Sequence, residues 1–249
     1  MKIAIVTGAS SGIGREFARQ IDSRYGKLDE IWLIARRREP MEQLAEELRV
    51  HTRIITMDLT NRQDLKEFSE YLLNNQPQIK LLVNCAGYGK IGSFHELDLN
   101  EQCGMIDLNC RALTEFTGIC LDFIPGHSRI INMASAAAFC PQPYFNVYAA
   151  TKAYVLSYSR ALNVELRDKK ITVTAVCPGP VDTEFFDIAG DRDGSSFKKS
   201  LRVCPHKVVS KAIKDASLGS ELSVYGVSMN LAKGAAKLLP TRAVMSIFK

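Results

Sequence analysis

Short runs of apolar, often β-branched residues alternate along the chain with longer stretches of helical character, and no other feature restricts the possible folds so severely. The runs are Lys2–Thr7 (KIAIVT), Glu30–Ala35 (EIWLIA), Thr52–Met57, Lys80–Asn84 (KLLVN), Arg129–Met133 (RIINM), Ile171–Val176 (ITVTAV) and a short Leu222–Tyr225. Helices are expected over Gly12–Arg24, Met41–Val50, Asp64–Leu73, Asn100–Ile124 and Tyr144–Leu166, the fourth of them stopped by Pro125. Strands that are apolar throughout are buried on both faces, which is the condition of a parallel sheet covered by helices. Right-handed crossovers then produce a Rossmann-type doubly wound α/β sheet of about seven strands, with ligands at the carboxyl ends of the strands.

A chain of 249 residues suits one such domain over residues 1–249, and no linker or low-complexity tract divides it. The least regular stretch, residues 184–206, carries Gly190, Asp191, Asp193, Gly194, Ser195 and Ser196 and reads as part of a substrate lid over 184–210. With 46% hydrophobic and 24% charged residues the composition is that of a globular chain, not a disordered one. The net charge of +5 is small and spread out, apart from Arg36, Arg37 and Arg38, which argues against a nucleic-acid partner. Seven cysteines, an odd number without a CxxC pair, and four scattered histidines argue against a disulfide framework and against a metal site. A reducing, cytoplasmic compartment is the corresponding expectation. Met1-Lys2 leads straight into the first strand, so no signal peptide is expected. No apolar run approaches the ~20 residues of a membrane span.

The first strand opens into Thr7-Gly8-Ala9-Ser10-Ser11-Gly12-Ile13-Gly14. Glycines at a strand-to-helix turn let the backbone approach a pyrophosphate, and the following helix offers it unpaired N–H groups and a positive dipole end. The bland reading is a structural turn. A carboxylate at the end of the second strand would bind a ribose hydroxyl and repel a 2′-phosphate. Here Ala35 is followed by Arg36, Arg37 and Arg38, and a guanidinium pairs with phosphate through two hydrogen bonds. NADP(H) is therefore preferred to NAD(H), with Arg36 as the leading contact and Arg37 as the second. An exposed basic turn is the competing account.

Tyr148-Ala149-Ala150-Thr151-Lys152 places a phenol and an ammonium four residues apart, on one face of a helix. Carbonyl reduction requires a proton for oxygen, and a phenol is protonated at neutral pH. To serve both directions its pKa should fall toward the working pH. That takes about 4 kcal/mol of phenolate stabilisation. One cation about 4 Å away supplies roughly that much at an effective dielectric near 20, so Lys152 is expected to lower Tyr148. Ser135, just past the fifth strand, reaches the same sheet edge and can bond a substrate oxygen. Asn109 lies inside a long helix, where a polar amide needs a partner, such as a water chain leading to Lys152.

The spacing T-G-x-x-x-G-x-G, together with Asn109, Ser135, Tyr148 and Lys152 in that order, resembles the classical short-chain dehydrogenase/reductase family over residues 7–183. The resemblance implies a catalytic tetrad in which Tyr148 is the acid/base, Ser135 positions the carbonyl, Lys152 also bonds the nicotinamide ribose, and Asn109 holds a relay water. It implies cofactor contacts at Gly8, Ser10, Ser11, Gly12, Ile13 and Gly14, and at Asp58-Leu59 beside the adenine. Asn84-Cys85-Ala86-Gly87 matches the family's N-x-A-G element, so Asn84, Ala86 and Gly87 are expected beside the cofactor. Pro178, Gly179, Val181 and Thr183 match its P-G-x-x-x-T element, with Val181 and Thr183 on the carboxamide. Asp58 as a helix cap, Gly87 as a turn and Thr183 as a cap are the structural alternatives.

The family implies an oxidoreductase interconverting a ketone and a secondary alcohol, and a homodimer or homotetramer. The pocket is expected among Gly89, Phe94, residues 139–146 and residues 184–206, with Phe139, Tyr144, Phe145, Phe185 and Phe186 favouring an apolar substrate of 3-oxoacyl or hydroxysteroid type. A catalytically silent nucleotide-binding regulator and an NAD-linked catabolic dehydrogenase are the alternatives. The segment 226–249 departs from the family's compact ending. It is amphipathic, basic and broken at Pro240. A cover for the domain or a subunit interface is favoured there over contact with an anionic membrane surface.

Overall fold

Alternate side chains of the first strand serve two different cores. In β1 (Lys2–Thr7), Ala4 and Val6 join one hydrophobic cluster, while Ile3 and Ile5 join another on the opposite face. In β2 (Glu30–Ala35), Ile31 and Leu33 likewise separate from Trp32 and Ile34. Such strands must lie between two helical layers. The computed structural model describes residues 1–190 and 202–245. The further strands are β3 (Thr52–Thr56), β4 (Gln78–Asn84), β5 (Arg129–Met133), β6 (Thr172–Val176) and β7 (Leu222–Ser223). All pair in parallel, in the order β3-β2-β1-β4-β5-β6-β7. The winding direction reverses between β1 and β4, which makes their carboxyl ends the switch point.

One layer contains α1 (Gly12–Arg24) and α2 (Glu39–Glu47), together with a helix near the C-terminus, Pro205–Ser217. The other contains α3 (Arg62–Asn75) and two long helical stretches, Leu99–Leu121 and α6 (Asn146–Glu165). Leu99–Leu121 is α4 (Leu99–Ile106), a π-helical turn (Asp107–Ala112) and α5 (Leu113–Leu121) in succession. A one-turn α7 (Phe185–Ala189) precedes Pro205–Ser217, which is α8. α9 (Val227–Leu238) and α10 (Thr241–Met245) follow, separated at Pro240.

Several boundaries differ from the sequence-based expectation for identifiable reasons. α2 starts at Glu39, with Pro40 in the first turn where its missing N–H has no cost, and stops at Glu47. Beyond it, the buried carboxylate of Asp22 accepts from the amides of Arg49 and Val50 at 2.9 and 2.8 Å and draws the chain out of the helix. Tyr144 has φ of 61°, outside the helical region, so α6 begins two residues later than expected. Of the stretch 184–210 expected to form a lid, residues 205–210 belong to α8 instead. Val208 and Val209 of α8 are buried in the sheet-packed core, and α7 gives order to the first residues of the stretch. Residues 191–201, including Asp191, Asp193, Gly194, Ser195 and Ser196, lie outside the described residues. Among the described residues, no helix is long and apolar enough to cross a membrane.

Candidate active site

The turn after β1 passes so close to β4 that side chains are excluded. Gly8 has φ of 67°, and a Cβ there would come within 2.9 Å of the Ala86 backbone. A Cβ on Gly14 would run into the carbonyl oxygen of Gly8. Thr7 ties the two strand ends together: its Oγ1 donates to the Val83 carbonyl at 3.4 Å and accepts from the amides of Cys85 and Ala86 at 3.0 and 3.1 Å. The first amide of α1, Gly12, donates to Glu184 Oε2 at 3.1 Å. The other oxygen of Glu184 stands 3.2 Å from Arg15, whose guanidinium also donates to the Ser10 carbonyl. A helix N-terminus attracts anions through its free N–H groups and dipole, and here a carboxylate from 172 residues away in the chain sits on it.

Around this turn a cleft of about 1510 Å³ opens along the strand ends. Gly8, Ser10, Ser11, Gly12, Ile13, Gly14, Arg36, Arg37, Asp58, Leu59, Ala86, Gly87, Pro178, Gly179, Val181 and Thr183 all line it. Arg37 donates to Ser10 Oγ at 3.2 Å, so its guanidinium is drawn over the glycine turn. Arg36 is exposed and stands 3.9 Å from Asp58. Asp58 accepts from the amide and the hydroxyl of Thr60 at 2.9 and 2.7 Å, and these bonds with nearby Arg36 outweigh its partial burial and hold its carboxyl below the usual range. Asn61, not Asp58, caps α3. Thr183 Oγ1 accepts from the Phe185 amide at 3.4 Å, just ahead of α7, whose N-cap is Glu184. Asn84 does not line the cleft: its buried amide donates to Thr117 and Asn132 at 2.9 and 2.8 Å and joins β4 to β5 and α5.

Ser135, Tyr148 and Lys152 meet at the far end of the same cleft. Ser135 follows β5, accepts from the Ala137 amide at 3.1 Å, and lies near Tyr148, where its hydroxyl favours the phenolate. The Lys152 ammonium donates to the Met133 carbonyl at 2.8 Å and lies 5.6 Å from the centroid of the Tyr148 ring. The expected lowering of the phenol is not what this arrangement produces. Burial pushes Tyr148 up to about 12, against the opposing effect of the Ser135 hydroxyl, and pushes Lys152 down to about 8. Desolvation wins because Tyr148 is clamped between aromatic rings: Phe145 stacks on it at 4.2 Å and Phe185 approaches at 5.5 Å. Cys85 and Cys177, close to Lys152, are pushed up to about 12 by the same burial and stay neutral thiols.

Asn109 stands behind this group in the π-helical turn, fully buried and off the cleft surface. Its Oδ1 accepts from the Tyr88 amide at 3.1 Å, and its Nδ2 donates to the Tyr88 carbonyl at 2.9 Å and to Thr151 Oγ1 at 3.0 Å. The polar amide in a helix interior thus finds protein partners, and it fixes the loop after β4 to α6. Oδ1 and the Lys152 ammonium flank Gly87 together: a Cβ there would come within 2.8 and 3.3 Å of them.

These elements have counterparts in known proteins. The family description "short chain dehydrogenase" matches residues 2–192. The chain belongs to the short chain dehydrogenase family. It is 31% identical over 255 residues to a very-long-chain 3-oxoacyl-CoA reductase of Anas platyrhynchos, covering 98% of this chain and 78% of that one. Among solved structures, a short-chain dehydrogenase of Sphingobium yanoikuyae in complex with NADPH superimposes with a TM-score of 0.80 at 26% identity, covering 100% and 97% of the two chains. A bulky-bulky ketone specific alcohol dehydrogenase of Comamonas testosteroni does so with a TM-score of 0.76 at 26% identity, covering 100% and 95%.

In this short-chain dehydrogenase the cleft is further lined by Phe139, Cys140, Gln142, Pro143, Tyr144 and Phe145 and by Phe185, Phe186 and Ile188. Phe94 is not among them: it is 60% exposed, with its carbonyl held by Gln102. Gly89 lies against the Tyr148 and Phe145 rings, where a Cβ would come within 2.7 Å, and does not face the cleft. The contact of Glu184 with the glycine turn and the roof residues Ser228, Met229, Ala232 and Ala236 of α9 were not legible in the sequence. Met229 packs on Gly179, whose lack of a Cβ makes the contact possible. The small residues Ala232 and Ala236, four apart, were the available signal of a helix face that leaves room for a ligand.

Proposed function

We propose that this oxidoreductase uses NADP(H) to interconvert an apolar ketone and its secondary alcohol, with Tyr148 as the proton donor to the ketone oxygen. One observation carries the reading: a protonated phenol, with Ser135 in the same cleft wall and its ring beside the Lys152 ammonium, shares a cleft with a glycine turn that excludes side chains. The turn fits a pyrophosphate, because the Gly12 amide already binds a carboxylate oxygen there. Arg37 over Ser10 and Arg36 beside Asp58 supply guanidinium groups for a 2′-phosphate. The Sphingobium yanoikuyae relative, which is in complex with NADPH, supports the same choice. The cofactor supplies the hydride when bound.

The chain's own residues handle the proton. A phenol held near 12 keeps its proton at neutral pH, which suits donation, the reductive direction. Lys152, near 8, is a cation at pH 7 and stands ready to balance the phenolate that donation leaves. Ser135 directs the receiving oxygen toward the phenol. Phe139, Phe145, Phe185 and Phe186 exclude water and favour a 3-oxoacyl or hydroxysteroid-like substrate, in keeping with the similarity to a 3-oxoacyl-CoA reductase and to an alcohol dehydrogenase specific for bulky ketones.

A panel of carbonyl compounds followed at 340 nm, with NADPH and NADH titrated by fluorescence, tests the proposal. Apolar ketones should be reduced with NADPH preferred. Tyr148→Phe should lower turnover by about two to four orders of magnitude, the usual contribution of a general acid, and leave NADPH affinity nearly unchanged. Undiminished turnover would remove Tyr148 from the reaction.

A further inference from the structure

Bases are spread along this chain, but their excess over acids falls mostly at one end. Residues 222–249 contain Lys233, Lys237, Arg242 and Lys249 and no acidic residue, so they account for four of the net five charges. Within this segment α9 buries no residue. Its inner face, with Met229, Ala232 and Ala236, roofs the cleft. Its outer face presents Val227, Leu231 and Leu238, spaced four and seven residues apart and therefore in one stripe, at 77, 69 and 83% exposure. Lys237 and Arg242, both exposed, accompany the stripe.

We infer that the outer face of α9, with the start of α10, docks on an anionic lipid surface. An apolar stripe accompanied by bases and free of acids is the pattern of a helix lying in the membrane interface. Charge complementarity selects this occupant over a second copy of the chain. A two-fold contact through the same face would bring the bases of two copies into one interface, with no carboxylate in the segment to pair with them. An anionic bilayer supplies both the opposite charge and an apolar layer for Leu231 and Leu238. Because the other side of α9 lines the cleft, docking places the substrate entrance beside the lipid, where an apolar ketone is concentrated. This last step rests on the proposed reduction of apolar ketones; the docking itself does not.

The full chain is floated with phosphatidylcholine vesicles, with and without phosphatidylglycerol, at low and high salt. Binding is expected only with phosphatidylglycerol and should weaken as salt rises. The double substitutions Leu231→Ser/Leu238→Ser and Lys237→Glu/Arg242→Glu should each weaken it by about tenfold or more, with circular dichroism and NADPH affinity unchanged. No binding at low salt, or binding insensitive to both pairs, would overturn the inference. So would a wild-type chain that ignores vesicles and self-associates through this face, with the association lost in the variants. A ketone dissolved in the vesicles should be reduced faster by wild type than by the docking variants. If vesicles bind but no carbonyl is reduced, the proposed function fails and the docking stands.

Discussion

The glycine turn at the end of β1 and the roof formed by α9 bound the same cleft, but they are built differently. The turn lies on Ile5, Val6 and Ala9, none of which is exposed at all, and it has no room for a methyl group at Gly14. The roof buries none of its residues and leaves Leu231 and Leu238 in solvent. A nucleotide presents the same phosphates at each turnover, so a rigid, preorganised cradle serves it. A substrate must enter and leave, and segments with few buried contacts open most readily. Lys152 and Glu184 connect the two regimes: one is a charge held inside the rigid part, the other an anion brought to the cradle from the chain just before α7.

The largest expected effect tests how much the rigid part gives up for chemistry. Burial holds Lys152 near 8 instead of the ordinary 10.5, a cost on the order of 3 kcal/mol to its charged form at pH 7. Lys152→Met should therefore raise unfolding stability by up to about 3 kcal/mol while abolishing turnover, measured by urea denaturation and the 340 nm assay. The folded chain releases this proton near pH 8, whereas the unfolded chain keeps it to about 10.5. The unfolded state thus binds more protons in that window, and wild-type stability should rise with pH across it. In the variant that contribution should vanish. A less stable variant would mean that the bond to the Met133 carbonyl outweighs desolvation.

A matched pair of substitutions then compares the walls directly. Gly14→Ala drives a methyl into the Gly8 carbonyl, a backbone atom that cannot yield, and should cost about 1–3 kcal/mol. Leu231→Ala, on the exposed roof, should change stability by about 0.5 kcal/mol or less. Equal costs would erase the distinction.

The smallest effect concerns the link between them. Glu184 occupies the Gly12 amide with a negative charge where a pyrophosphate would bring its own. Glu184→Gln keeps an acceptor but removes the charge, and NADPH should bind about two- to fivefold more tightly, the scale of a charge at a helix end. Fluorescence titration at low and high salt reads this, and the gain should shrink with salt. Unchanged or weaker binding would show that the carboxylate and the cofactor do not compete.

Much of this architecture is legible in the chain because its causes are local. Lys2–Thr7, Gly12–Arg24, Glu30–Ala35 and Arg129–Met133 have the bounds that their apolar patterns indicate. Ser135, Tyr148 and Lys152 reach one cleft because a strand end and an i, i+4 pair fix their positions. Asn84 and Asn109 are different cases. Both stand at meaningful places in the sequence, yet their amides are spent on Thr117 and Asn132, and on Tyr88 and Thr151, partners 21 to 48 residues distant. Nothing local specifies such bonds. The same holds for Glu184, which meets the glycine turn only because α7 begins where it does.

The order of apolar runs, the glycine spacing and the phenol–ammonium pair determined by themselves the parallel sheet and the kind of chemistry it carries, since each depends on backbone period and residue type alone. Which protonation states that chemistry begins from was decided in three dimensions. A phenolate and an ammonium four residues apart attract each other in any helix, but the rings of Phe145 and Phe185 and the seat beneath Met133 exclude water, and the cost of burying either charge outweighs that attraction. Desolvation depends on everything that surrounds a group, and most of what surrounds these two comes from other parts of the chain.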